Sequence, residues 1–183
     1  MEKTTAILIN RYRLTESSLI VVWCSEEAGI FKTVAKGALQ PKSAFAGRLD
    51  LLVKCEVEWA LGRNTDLHTL KEVQLLQAHA GLRANYPRVL AATYFCKLIE
   101  MVTETATPLH GVYSLLELSL EYLNTHAPTV KLVQRFEDRL CTDIGLGEAS
   151  PGEGGRLISE TFHRPLPVQR GVLFAEMQKL TGL

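Results

Sequence analysis

Up to about residue 80, hydrophobic residues fall in short runs rich in β-branched side chains and bounded by polar clusters, the spacing of strands. Thr4–Asn10 is the first such run. Leu19–Cys24 (LIVVWC) is the second, set between the clusters TESS and SEEAG. Gly29 marks a turn and Ile30–Ala35 a third strand, so 19–35 is expected to be a hairpin. Leu49–Trp59 alternates: Leu51, Val53, Cys55, Val57 and Trp59 share one face, and Leu52, Lys54, Glu56 and Glu58 the other. After the turn LGRNTD, Leu67–Leu75 predicts a fifth strand.

From Leu82 the period changes. Pro87 suits the first turn of a helix, and Arg88–Glu104 places Val89, Ala92, Phe95, Cys96, Ile99 and Val102 at helical spacing. Leu109–Leu123 repeats the pattern, and Pro128 opens a third helix running to about Ile144. GLGEASPGEGG, 145–155, is expected to be a flexible segment. A short apolar piece around Leu157 follows, then Pro165, Pro167 and a last helix carrying Val172, Leu173, Phe174, Met177 and Leu180. The expected class is α+β: an N-terminal five-stranded barrel of the oligonucleotide-binding (OB) type, residues 1–80, packed on a C-terminal α-helical domain, residues 81–183.

Composition changes this picture little. The 46% hydrophobic content fits a folded chain able to bury one core or two small ones. No apolar run approaches the roughly 20 residues of a membrane-spanning helix, and the run before Arg11 is too short for a secretory signal. Cys24, Cys55, Cys96 and Cys141 are widely spaced with no CxxC, which predicts buried reduced thiols in a cytoplasmic protein. The charges balance at 20 Lys+Arg and 20 Asp+Glu, so any contact with nucleic acid must rest on a local patch.

Catalysis needs a nucleophile, a base or a metal held in place, and the sequence offers no such grouping. His68, His79, His110, His126 and His163 form no HxH, HExxH or Cys/His cluster. Glu26–Glu27 sits at a turn, where adjacent side chains point apart. The glycine-rich 145–155 segment lacks the Lys-Ser/Thr of a phosphate loop and carries two glutamates that would repel phosphate. The chain is therefore expected to be no enzyme, with no cofactor and no metal.

One stretch points elsewhere. FKTVAKGALQPKSAFAGR, Phe31–Arg48, carries Lys32, Lys36, Lys42 and Arg48 and not one acid. Such cations neutralise phosphates and release condensed counterions. Arg11 and Arg13 fall at the end of the first strand. Phe45 is either a base-stacking ring or an apolar anchor for its loop. Four phosphate contacts to a single strand would give a salt slope of about −3.

The same residues resemble a known family. AILINRYRLTESSLIVVWCSEEAGIFKTVAKGALQPKSAFAG is similar to the N-terminal barrel of the RecO family of bacterial recombination mediators, through R-Y-x-x-x-E-S-x-x-I-V, the turn at Gly29, V-A-K-G-A and P-K-S-x-F. The order continues through LDLLVKCEVEWALGRNTDLHTLKEVQLL. VQRFEDRLCTDIGL, Val133–Leu146, resembles the family's F-E-x-R-L-L-x-x-x-G-L helix. The resemblance implies a barrel that binds single- and double-stranded DNA, joined to a helical domain. It implies annealing of complementary strands and, with RecR, loading of RecA onto DNA coated by single-stranded-DNA-binding protein. That protein's acidic tail would be bound by the helical domain. A bacterial, nucleoid-associated place in the cytoplasm follows from the same resemblance.

On that basis Arg13, Lys32, Lys36, Lys42 and Arg48 are candidate phosphate contacts, with Phe45 beside them. Arg135 and Arg139, one turn apart on one helix face, are candidates for the acidic tail, with pairing to Glu137, Asp138 or a neighbouring helix as the alternative. Only Arg139 falls on the F-E-x-R pattern. After Leu146 the sequence departs from the family. Many relatives carry a four-cysteine zinc element there, whereas GEASPGEGGRLISETFHRPLP holds no cysteine, so zinc is expected to be absent and the shortened end puts part of the tail groove in question. The competing expectation is a protein-interaction adaptor working through the helical domain, with little DNA affinity.

Overall fold

The computed structural model describes residues 1–63 and 65–181. The chain forms two compact units, one made of Met1–His79 with Glu104–His110, the other of Ala80–Thr103 with Gly111–Leu183.

The first unit is a closed barrel with strand order β1-β2-β3-β5-β4. Its strands are β1 (Glu2–Arg13), β2 (Leu19–Ser25), β3 (Gly29–Ala35), β4 (Lys54–Ala60) and β5 (Leu67–Gln77). All pairs are antiparallel except β3 with β5. Alternation fills the interior with Ala6, Leu8, Val21, Trp23, Phe31, Cys55, Val57, Trp59, Leu70 and Val73. Phe31 stacks on Trp59 with ring centroids 4.4 Å apart, and the Trp23 indole N–H donates to Thr33 Oγ1 at 2.9 Å, so the buried indole keeps a polar partner.

The fourth strand is shorter than the alternation predicts. It begins at Lys54, because Leu52 takes a left-handed backbone (φ 70°) that breaks the extended run at 49–53. The Leu52 N–H donates to the Leu8 carbonyl, and the Leu8 N–H to the Val53 carbonyl, beside an irregularity in β1 between Leu8 and Asn10. Leu49 and Val53 still reach the barrel core from this loop.

The segment Glu104–His110 returns to the barrel although it follows a helix in sequence. The Ala106 N–H donates to the Ile30 carbonyl and the Leu109 N–H to the Glu26 carbonyl. Gly29 makes this possible: it has φ 67°, and a Cβ there would lie 2.1 Å from the Thr107 carbonyl oxygen.

The second unit holds a 3-10 turn (Ala80–Ala84) and helices α1 (Tyr86–Val102), α2 (His110–Thr125), α3 (Val130–Asp143), α4 (Gly154–Thr161) and α5 (Gln169–Thr181). Asn85 caps α1 and Thr129 caps α3, each side chain accepting an N–H of the first turn. Phe95 of α1 stacks on Phe136 of α3 at 3.8 Å. Arg88 closes the end of α2, its guanidinium donating to the carbonyls of Gly81, Asn124 and Thr125.

The end of the 145–155 segment is tied down and turns into α4. Asp138 accepts the N–H groups of Gly152 and Gly154, both at 2.8 Å. A Cβ at Gly154 would lie 2.5 Å from the Asp138 backbone nitrogen. The glycines here permit close approach of α4 to α3, a packing role that their composition alone does not distinguish from a linker.

Candidate nucleic-acid interface

The strand register gathers several of the cations at one end of the barrel. Arg13 is opposite Leu19, and Leu19 opposite Ala35, so Arg13 and Lys36 leave the same end of β1 and β3. The turn after β1 also holds the turn after β3: the Leu39 N–H donates to the Ser17 carbonyl at 2.9 Å, and the Gly37 N–H to Ser18 Oγ at 3.4 Å. Lys32 sits further back on β3, opposite Val22 and Leu67, on the outward face. Lys42 is exposed in the following loop.

These cations differ in their engagement. Lys32, Lys36 and Lys42 have no hydrogen bond or ion pair among the described residues. Arg13 donates to the Thr15 and Glu16 carbonyls of its own turn at 3.3 and 3.1 Å. Arg48 donates to the Val73 carbonyl on β5 at 3.1 Å. Arg11 bonds the Leu49 carbonyl and lies 3.3 Å from Asp50. Two arginines, Arg11 and Arg48, thus stitch the 36–53 loop to the barrel. Phe45 is half-buried and packs against the barrel core, the anchoring alternative.

The opposite side of the barrel carries the reverse charge. Glu58 stands directly across from Glu72, and Lys3 bonds Glu56 at 2.7 Å. These carboxylates raise the Lys3 pKa, chiefly through the Glu56 hydrogen bond. The 28–49 segment has no acid at all. A neutral protein thereby carries a polarised barrel.

In the helical unit Arg135 and Arg139 are both exposed on α3, and Arg139 Nε bonds Asp143 at 3.0 Å. A groove of about 510 Å³ opens elsewhere in this unit, lined by Lys97, Glu100 and Met101 of α1 and by Arg164, Pro165, Pro167, Val168 and Gln169. Neither Arg135 nor Arg139 lines it.

Sequence reasoning treats Glu137 only as a possible partner of Arg135 or Arg139, and its partners are others. It is fully buried, accepts the Tyr94 hydroxyl at 2.6 Å, and takes a two-pronged pair from Arg170 at 2.6 and 3.1 Å. The Arg170 guanidinium also lies 4.5 Å from the centre of the Phe174 ring. Burial raises the Tyr94 pKa first, and the Glu137 charge adds to it; the Arg170 pKa is raised mainly by its hydrogen bond to Glu137. A signal existed: Val133, Glu137, Leu140 and Cys141 fall on one helical stripe, so a carboxylate occupied a core position.

Burial pushes the Cys24 thiol up to about 12 and Cys55 up to about 11, and Cys96 and Cys141 are buried as well. Among the described residues no group of three His, Cys, Asp or Glu could hold a metal, and no helix is long and apolar enough to cross a membrane.

A closed barrel of this strand order, with an acid-free basic loop at one end and an all-helical unit after it, defines an OB-type barrel protein. The family is then specific. Residues 1–79 match the model described as recombination protein O N terminal, and residues 83–147 match recombination protein O C terminal. The chain belongs to the RecO family.

It is similar to the DNA repair protein RecO of Syntrophotalea carbinolica, 28% identical over 74% of this chain and 52% of the relative. The DNA repair protein RecO of Symbiobacterium thermophilum is 28% identical over 91% of this chain and 67% of its own length. That of Roseiflexus sp. is 28% identical over 93% and 60%. The chain spans about half to two thirds of the length of these relatives.

Proposed function

We propose that this protein is a DNA-repair and homologous-recombination mediator that works by binding rather than by making or breaking bonds. It binds single- and double-stranded DNA through the barrel and anneals complementary strands. With RecR, it helps load RecA on single-stranded DNA coated by single-stranded-DNA-binding protein. The acidic tail of that protein is taken by the helical unit, and the protein works in the bacterial cytoplasm at the nucleoid. Support comes from the family membership and from the names of the relatives.

The observation that carries the DNA contact is the set of three lysines, Lys32, Lys36 and Lys42, left without partners among the described residues in an acid-free stretch that runs from β3 of an OB-type barrel into the following loop. Cations without an internal partner are available to phosphates at no structural cost.

The adaptor reading has an observation of its own: Arg11, Arg13 and Arg48 all bond main-chain carbonyls of the barrel unit, which lowers the number of free cations. Fluorescence anisotropy of a labelled single-stranded oligonucleotide across a salt series separates the two. The mediator reading expects a slope of about −2 to −3, flattened when Lys32, Lys36, Lys42 and Arg48 become alanine together. An absence of binding at low salt favours the adaptor.

A further inference from the structure

We propose that Tyr12 is the base-stacking residue of the barrel, on an apolar platform completed by Ile20 and Val34; this rests on the DNA-binding reading above. In β1 the alternation is shifted between Leu8 and Asn10. After the shift, Tyr12 stands opposite Ile20, and Ile20 opposite Val34. Their neighbours Leu19, Val21 and Ala35 fill the interior, so Tyr12, Ile20 and Val34 face outward together.

Tyr12 is 38% exposed, and Ile20 and Val34 are half-buried. The three form a continuous surface across β1, β2 and β3, about 10 Å from the first to the third. The outer face of the second and third strands is where OB barrels receive oligonucleotides.

Charge selects the occupant. Lys32 lies two residues from Val34 on the same face, about 7 Å along β3, and Lys36 leaves the end of that strand. No acid stands on β2 or β3. The nearest acids in sequence, Glu16, Glu26 and Glu27, sit in the flanking turns, with Glu26 and Glu27 at the end of the β2–β3 hairpin away from Lys36. A flat aromatic and aliphatic strip bordered by lysines unpaired among the described residues fits a single strand, with bases on the strip and phosphates toward the lysines. Duplex DNA keeps its bases paired and offers this strip no ring. Phe45 does not supply the ring, because its side chain packs on the barrel core.

The test compares the full chain with Tyr12→Ala and Tyr12→Phe, each checked for an unchanged melting curve. Anisotropy is read with labelled oligothymidylate and with a strand of the same length made of abasic sites. The expected result is that Tyr12→Ala weakens oligothymidylate binding about tenfold, with the salt slope unchanged, while Tyr12→Phe keeps wild-type affinity. Binding of the abasic strand stays the same in all three proteins. The proposal is overturned if Tyr12→Ala binds oligothymidylate as tightly as wild type, or if it loses equally on both strands. Wild-type protein that binds neither strand overturns the DNA-binding reading itself and this inference with it.

Discussion

In the helical unit, Glu137, Asp138, Arg88 and Arg170 all serve as internal ties, each bonded to another helix or to the backbone of a neighbouring segment. In the barrel, Lys32, Lys36 and Lys42 bond to nothing among the described residues, and the acids gather on the far strands. Charge counts are therefore a poor guide to where a neutral protein meets an anion. What separates the two regions is whether a charge already has a partner. Substitutions in the first region should cost stability, and substitutions in the second should cost binding.

The largest effect belongs to Glu137. Replacing it with alanine strips the acceptor from the Tyr94 hydroxyl and leaves Arg170, 27% exposed, without its counter-charge. Breaking a buried pair from one side costs about 3–5 kcal/mol. Urea unfolding of Glu137→Ala should show that loss, with Glu137→Gln losing less because a hydrogen-bonding shape remains. An unfolding free energy within about 0.5 kcal/mol of wild type, the noise of a surface substitution, would remove the tie from the account.

Alkaline pH attacks the barrel by another route. Cys24 and Cys55 have folded pKa values of about 12 and about 11, raised by burial above the ordinary 9.0. The fold holds both thiols neutral, so their contribution is complete below about pH 9. Above it the unfolded chain ionises first, and stability falls by about 1.4 kcal/mol per pH unit per thiol until the folded value is reached. Unfolding midpoints under reducing conditions should therefore drop between pH 8.5 and 10.5, at about those values. Cys24→Ala should fall less steeply. Equal slopes in the two proteins would mean that Cys24 contributes nothing to the alkaline loss.

The strands were legible in the sequence because period-2 alternation follows from a barrel with a dry interior, and the basic loop because its charges are consecutive in the chain. The rest depended on partners that leave no mark in a one-dimensional reading. Leu52 breaks an alternation that places it on the face of Lys54, Glu56 and Glu58, and it is buried instead. Gly154 and Gly155 resembled a linker, yet they sit against Asp138 and Glu137. Arg48 resembled Lys42 until the Val73 carbonyl was seen to hold it. Tyr12 was hidden by the phase shift at Leu8–Asn10.

That distinction among the cations predicts the next effect. Arg48→Ala should cost about 1 kcal/mol of stability, because a charged donor is lost from the loop that covers the core. Lys32, Lys36 and Lys42 changed together should leave stability within about 0.5 kcal/mol while flattening the salt slope by about 2. The comparison fails if the triple variant unfolds as readily as Arg48→Ala, or if Arg48→Ala alone accounts for the slope.

The smallest effect lies on the acidic side. Glu58 and Glu72 face each other across β4 and β5, a like-charge pair in solvent, with Lys3 opposite Glu58 on β1. Opposite charges directly across a sheet gain a few tenths of a kcal/mol over like ones. Glu72→Lys should thus raise the unfolding free energy by about 0.5 kcal/mol or less, and less again at high salt, where exposed pairs are screened. The same variant adds a cation to the barrel on the side away from β2 and β3. If DNA tracks the Lys32–Lys36 face, the salt slope of Glu72→Lys should match wild type even though the net charge has risen. A steeper slope would mean that strand contacts are spread around the barrel, and the contrast between its two faces would lose its meaning for binding.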